Sequence, residues 1–206
     1  MVIFKDTDYE GDSWTLRFDL NEPNRKYYFQ LKGTGFNNEV SSWKLGRNLH
    51  ADFCDQDLQF SDLDENGKPT FLCPDAGLAM GSAVGSTAMR AFEPDNAMSG
   101  VILSLYDPLT RPAATVYSGT DCTGRSAAMF TNGVDSTEPA RYGLDEMGLL
   151  GIGNDSMSSF MAPVGTHMHV YETGFDQDVE LWSDHVFDGQ EDKDGWMVCQ
   201  NLDADW

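Results

Sequence analysis

Apolar and polar residues alternate along most of this chain in short runs, and helical spacing is scarce. Val2-Ile-Phe4, Ser13-Trp-Thr-Leu-Arg-Phe18, Lys26-Tyr-Tyr-Phe-Gln-Leu31, Thr115-Val-Tyr117, His167-Met-His-Val-Tyr171 and Val179-Glu-Leu-Trp182 are each bounded by Gly, Asn or Asp. That pattern predicts short antiparallel strands joined by turns. The best helix candidate is Asp75 to Phe92, but its five Ala and three Gly make it a weak one, and a small-residue loop reads equally well. A single helical turn is expected within Leu144 to Leu150. Tyr106-Asp-Pro-Leu-Thr-Arg-Pro112 reads as a linker, because its two prolines block both helix and central strand, and a domain boundary is expected near residue 107.

Internal repeats sharpen this outline. Asn37-Asn-Glu-Val-Ser-Ser42 is followed by Trp-Lys-Leu-Gly and a strand ending Ala-Asp-Phe53. Asn154-Asp-Ser-Met-Ser-Ser159 is followed by Phe-Met-Ala-Pro-Val-Gly and a strand ending His-Val-Tyr171. Asp95-Asn-Ala-Met-Ser-Gly100 is a degenerate third copy. The shared form is a pair of Asn/Asp, a pair of free positions, then Ser-Ser or Ser-Gly. A second element precedes these loops. Phe4-Lys-Asp-Thr-Asp-Tyr9-Glu-Gly11 and Tyr117-Ser-Gly-Thr-Asp-Cys122-Thr-Gly124 share one spacing, with Cys122 at the second aromatic position. Each reads as a folded hairpin whose ring covers the turn and whose Gly supplies a positive-φ corner.

Together these elements resemble the βγ-crystallin family, whose calcium-binding members pair such a hairpin with an Asn/Asp-Asn/Asp-x-x-Ser/Thr-Ser loop. The resemblance covers most of the chain as four motifs, roughly 1–45, 46–105, 113–163 and 164–206. It implies an all-β protein of two Greek key β-sandwich domains, 1–107 and 113–206, the first with an insertion at about 75–92. Motif two keeps a degenerate hairpin, Phe53 to Phe60, and motif four has Tyr171 and Phe175 in its hairpin. The stretch Asn201 to Trp206 stands where the family places its last loop and strand, so the last strand of motif four is expected either to be missing from this sequence or to come from elsewhere.

By position, the resemblance assigns calcium ligands to three loops, each completed by a main-chain carbonyl from the partner motif. Motif one offers Asn38, Glu39 and Ser41 with the Cys54 carbonyl; motif two offers Asn96, Ala97 and Ser99 with the Lys5 carbonyl. Motif three offers Asp155, Ser156 and Ser158 with the Glu172 carbonyl; motif four has no loop, so the Ser118 carbonyl is expected to lack a partner. The chemistry suits Ca²⁺, which takes six to eight oxygen ligands at about 2.3–2.6 Å in loose geometry. The same Asx and Ser pairs also form metal-free turns.

Composition narrows the function classes. The chain has 206 residues, 34 Asp+Glu against 13 Lys+Arg, and a formal net charge of −21. No cluster of Lys/Arg is present to hold phosphates, so neither nucleic acid nor an anionic membrane surface is an expected partner. No apolar run approaches the ~20 residues of a membrane helix. No GxSxG, HExxH, P-loop or dinucleotide fingerprint appears, and an enzyme is not expected.

Four cysteines, none in a CxxC pair, fit two disulfides in an oxidising compartment; four buried thiols of a cytoplasmic protein are the alternative. Within the four motifs the expected pairs are Cys54–Cys73, closing a hairpin in motif two, and Cys122–Cys199. Met1 runs straight into Val2-Ile-Phe4, so any secretion signal is expected to have been removed or never present. Three other motifs carry two readings each. Asp62-Leu-Asp-Glu-Asn-Gly67 opens like an EF-hand loop, yet Cys73 stands where that loop needs Glu, so an acidic hairpin tip is expected. His167 and His169 share one face of a strand without a third ligand nearby. Asn154-Asp-Ser156 is also a glycosylation sequon, expected to be unoccupied.

The expectation is therefore a secreted, non-enzymatic calcium-binding protein whose ion stabilises the fold. A secreted interaction protein on the same fold, such as a protease inhibitor or toxin-like effector, is the alternative; an exposed, disulfide-held insertion favours it.

Overall fold

The computed structural model describes residues 1–19, 21–22, 25–74, 81–90, 97–110, 113–132, 140–143, 147, 152, 156–170 and 185–202. Among these the named elements are strands and two 3₁₀ turns, so the protein is all-β. The strands are β1 (Val2–Phe4), β2 (Ser13–Thr15), β3 (Tyr27–Gln30), β4 (Ser42–Leu45), β5 (Leu49–Cys54), β6 (Gln59–Leu63), β7 (Pro69–Leu72), β8 (Gly81–Val84), β9 (Thr87–Met89) and β10 (Gly100–Leu105). The second half adds β11 (Ala113–Gly119), β12 (Thr123–Phe130), β13 (Ser159–Met161), β14 (His167–Val170), β15 (His185–Asp188) and β16 (Gln200–Asn201).

Strands are exchanged between neighbouring motifs in Greek key fashion. Of the two larger sheets one runs β2-β1-β4-β9 and the other β16-β13-β11-β12-β8-β5-β10-β3, and β14-β15 and β6-β7 form two-stranded sheets. Thus β3 leaves its own motif to pair with β10, Val101 opposite Phe29, and β9 crosses back to pair with β4, Trp43 opposite Met89. The alternation of each strand sends one set of side chains into the space between the sheets. Ile3, Leu31, Trp43, Leu45, Phe53, Met89, Val101 and Leu103 meet there fully buried. The Trp43 and Phe53 rings lie 4.9 Å apart.

Of the expected insertion at 75–92, residues 81–90 are described, and they hold strands of the two larger sheets: β8 lies between β5 and β12, and β9 pairs with β4 at a sheet edge. Small residues are required there because neighbouring backbone closes in: a Cβ on Gly81, whose φ is +120°, would lie 1.6 Å from the Ser126 carbonyl oxygen. The β6–β7 hairpin forms a separate two-stranded sheet. At Leu144 to Leu150, Met147 is helical and its amide bonds to the Gly143 carbonyl at 2.9 Å; the rest of that turn lies outside the described residues.

The two halves meet edge to edge where β12 pairs in parallel with β8 at Ser126 and Gly81. Tyr117, Cys122, Met161 and Met197 join the same core as Trp43 and Phe53, and the Met197 amide reaches the Ser86 carbonyl at 3.1 Å. Cysteines 54 and 73 are bonded, as are 122 and 199, matching the expected pairing.

Candidate metal centre

Each intact hairpin turns back on itself. Thr7–Tyr9 and Thr120–Cys122 form 3₁₀ turns in which Asp8, Tyr9, Asp121 and Cys122 have φ of +58°, +67°, +55° and +55°. Left-handed backbone at four side-chain-bearing positions needs outside support. The second Ser of the loop supplies it. Ser42 Oγ donates to the Asp6 carbonyl at 2.6 Å and accepts the Tyr9 amide at 3.0 Å. Ser159 Oγ does the same with the Gly119 carbonyl at 2.6 Å and the Cys122 amide at 2.9 Å. The Phe4 and Tyr9 rings then meet edge to face at 5.9 Å. Burial pushes the Tyr9 hydroxyl's pKa up, against a smaller opposing pull from Arg90.

The first Ser of each loop faces the other way. Its amide bonds to a carbonyl at or near the end of the motif's first strand: Ser41 to Phe4 at 3.0 Å, Ser99 to Cys54 at 2.7 Å, Ser158 to Tyr117 at 2.9 Å. The three loops share this bond, and Lys5, Asp55 and Ser118 are the residues that follow the three acceptors. Ser158 Oγ donates to the Ser118 carbonyl at 3.1 Å. Ser99 Oγ donates to Asn38 Oδ1 at 2.9 Å, and the Asn38 amide bonds to the Met98 carbonyl at 2.9 Å, stitching loop one to loop two. Asn38 has φ +55°, a region Asn tolerates better than most residues.

Two of the carbonyls assigned by position accept hydrogen bonds. The Ser118 carbonyl accepts from Ser158 Oγ of its own motif. The Cys54 carbonyl accepts the Ser99 amide of loop two. Among the remaining residues, Glu39 is exposed on loop one, Ser41 is buried, and Ala97 packs partly buried against the core. The Lys5 ammonium lies 3.4 Å from Asp12 and 5.5 Å over the Phe36 ring. Asn96, Asp155 and Glu172 lie outside the described residues, as do Tyr171 and Phe175 of the expected fourth hairpin and Asn154 of the sequon.

Loop two departs from the others for a visible reason. Gly100 stands where they have the clamping Ser, and a Cβ there would lie 2.8 Å from Leu58 Cγ. In motif two the β6–β7 hairpin stands where the other motifs have the folded corner, and the Cys54–Cys73 bond closes its base. The clamping role of the second Ser escaped the sequence reading, although the signal was present: Ser-Ser accompanies both folded corners, and Ser-Gly accompanies the motif without one.

The donor set fits a hard cation. It consists of amide, hydroxyl and carbonyl oxygens, brought together from separate strands. Asn37 Oδ1 is buried with no hydrogen-bond partner among the described residues. The neighbouring Lys5 amine is occupied by Asp12 and Phe36. Elsewhere, Asp64 Oδ1 accepts the Asn66 and Lys68 amides at 2.8 and 2.9 Å, which makes 62–67 the tip of the β6–β7 hairpin. His167 Nδ1 lies 2.6 Å from Asp188 Oδ1, and no group of three or more His, Cys, Asp or Glu suited to a metal occurs among the described residues. The structure also brings together a trio the sequence did not suggest: His50 Nδ1 lies 3.3 Å from Ser104 Oγ, and its Nε2 lies 3.2 Å from Asp52 Oδ1 without a directed hydrogen bond.

Comparison with known proteins places solved βγ-crystallin-type structures beside this chain. One, from work on the evolution of the eye-lens βγ-crystallin domain fold, is 19% identical over 52% of this chain and 85% of its own, with a TM-score of 0.34. Another, the solution structure of protein S complexed with calcium, is 18% identical over 78% of this chain and 75% of its own, with a TM-score of 0.33. No protein-family model matches the chain. No curated protein matches it.

Proposed function

We propose that this is a non-enzymatic calcium-binding protein of two βγ-crystallin-like domains, in which Ca²⁺ ties each loop to the start of the neighbouring hairpin. The observation that carries the proposal is the pairing of Ser158 Oγ with the Ser118 carbonyl, 3.1 Å apart and forty positions distant in sequence. On the equivalence of the three loops, site one takes the Lys5 carbonyl, the Glu39 carbonyl and Ser41 Oγ. Site two takes the Asp55 and Ala97 carbonyls, Ser99 Oγ and Asn38 Oδ1, and site three the Ser118 and Ser156 carbonyls with Ser158 Oγ. Asn96 and Asp155 complete the sets by sequence position. A bound ion supplies charge neutralisation and cross-linking, offsetting part of the self-repulsion of a chain of net charge −21. The two disulfides support an extracellular setting.

Calorimetry of a Ser158→Arg variant tests the assignment. The substitution sets a cation among the site-three oxygens, so one ion per chain should be lost while the first-half sites remain. Undiminished stoichiometry refutes the placement.

A further inference from the structure

We propose that the groove beneath the β6–β7 hairpin is a binding site for a neutral sugar ring. The hairpin contributes little to the core. Phe60, Leu63 and Leu72 are 61%, 55% and 43% exposed, an arrangement that costs solubility unless the surface is used. Yet the hairpin is held firmly. The Cys54–Cys73 bond closes its base, and Phe71 packs edge to face on Tyr28 of β3 with ring centroids 5.2 Å apart.

Between hairpin and sheet lies an open groove of about 330 Å³, lined by Tyr28, Gln30, Lys32, Asp57, Leu58 and Phe71. That volume is at the small end of the range for ligand pockets, about 300–1,000 Å³. One side is apolar: Tyr28, Leu58 and Phe71. The other is a fixed polar row. Gln30 Nε2 donates to Asp57 Oδ1 at 2.6 Å, Lys32 Nζ lies 2.5 Å from Asp57 Oδ2, and Gln30 Oε1 accepts the Leu58 amide at 2.8 Å. Because these groups hold one another, little ordering is left to a ligand.

The chemistry of the groove selects its occupant. Among the described lining residues the one cation, Lys32, is paired with the one carboxylate, Asp57, and the whole chain carries −21, so an anionic ligand is disfavoured. A wholly apolar ligand would cover Gln30, Lys32 and Asp57 without replacing their water contacts. A pyranose has a C–H face for the aromatic side and hydroxyls for the polar side, and carries no charge.

Saturation-transfer NMR with cellotriose, maltotriose, mannotriose and chitotriose, and a chondroitin sulfate hexasaccharide as the anionic comparison, tests this. At least one neutral trisaccharide should receive saturation on its ring protons. Its Kd should rise tenfold or more in Lys32→Met, a change at a side chain 71% exposed that leaves the fold intact, and in Phe71→Ala. Transfer to none of the four, equal binding of the sulfated sugar, or unchanged affinity in Lys32→Met overturns the proposal. So does a dimer in sedimentation that Phe60→Ser dissolves in a protein that binds no sugar, which would assign the surface to a second copy. The outcome is independent of the calcium sites, because no lining residue belongs to them.

Discussion

Ser99 Oγ donates to Asn38 Oδ1 across 2.9 Å, so two loops sixty-one positions apart share one hydrogen bond at the proposed second site. Removing the acceptor should have two effects. Asn38→Ala leaves the Ser99 hydroxyl partly buried without its partner, costing about 1–2 kcal/mol in chelator. In calcium the loss should be larger, because a ligand oxygen is gone. Urea unfolding in both conditions measures this; an equal loss in both would detach Asn38 from ion binding.

The adjacent serines should separate cleanly. Ser159→Ala removes the clamp on the Gly119 carbonyl and the Cys122 amide and should cost about 1–3 kcal/mol with or without calcium. Ser158→Ala gives up the 3.1 Å bond to the Ser118 carbonyl, about 1 kcal/mol in chelator, and should lose more in calcium. Denaturation of both variants, each with and without the ion, gives four numbers. The account fails if the two serines exchange behaviours.

Much of the fold was legible because it is written in short-range spacing. The strand runs, the two folded corners and the repeated Ser-Ser loops each depend on neighbours within a dozen residues. What was not legible depends on distant backbone. Within 75–92, Gly81 reads as a helix breaker or loop residue, whereas its small size answers the approach of the distant Ser126 backbone. The disulfide-held hairpin lies at 59–72, outside the segment that the sequence pattern singled out as an insertion. The candidate site was legible as a list of residues but not as a grouping. The bond from Ser158 Oγ to the Ser118 carbonyl joins residues forty positions apart, a contact that sequence position alone does not show.

Gly81→Ala should disrupt the junction of the halves. A methyl there would sit 1.6 Å from the Ser126 oxygen, with φ at +120°. The backbone must move, and a loss above ~2 kcal/mol is expected. Thermal unfolding monitored separately by first-half and second-half fluorophores should split into two transitions. A single transition at the unaltered temperature would show that β8 and β12 do not depend on each other.

Alkaline pH should weaken the fold before it affects the loops. Burial pushes the Tyr106 hydroxyl up to about 12, outweighing a weak backbone contact from Ala113, and pushes the fully buried Tyr117 higher still. Their neutral forms are favoured in the folded state. That stability is complete below the ordinary tyrosine pKa of about 10 and is lost as pH rises from there through 12. For Tyr106 the loss is on the order of 2–3 kcal/mol. Urea midpoints at pH 8, 10 and 11.5 should fall progressively, and Tyr106→Phe should flatten the decline.

The most direct test is a calorimetric titration of the metal-free protein with Ca²⁺, paired with melting curves in calcium and in chelator. Two or three ions per chain are expected, tightest at 37–42 and 154–159 and weaker at 95–100. Melting should shift upward with calcium, by about 2.7 kcal/mol of added stability per site at a hundredfold excess over Kd. Coincident melting curves with no heat of binding would contradict the account, and four ions per chain would show that the loops have been assigned to the wrong residues.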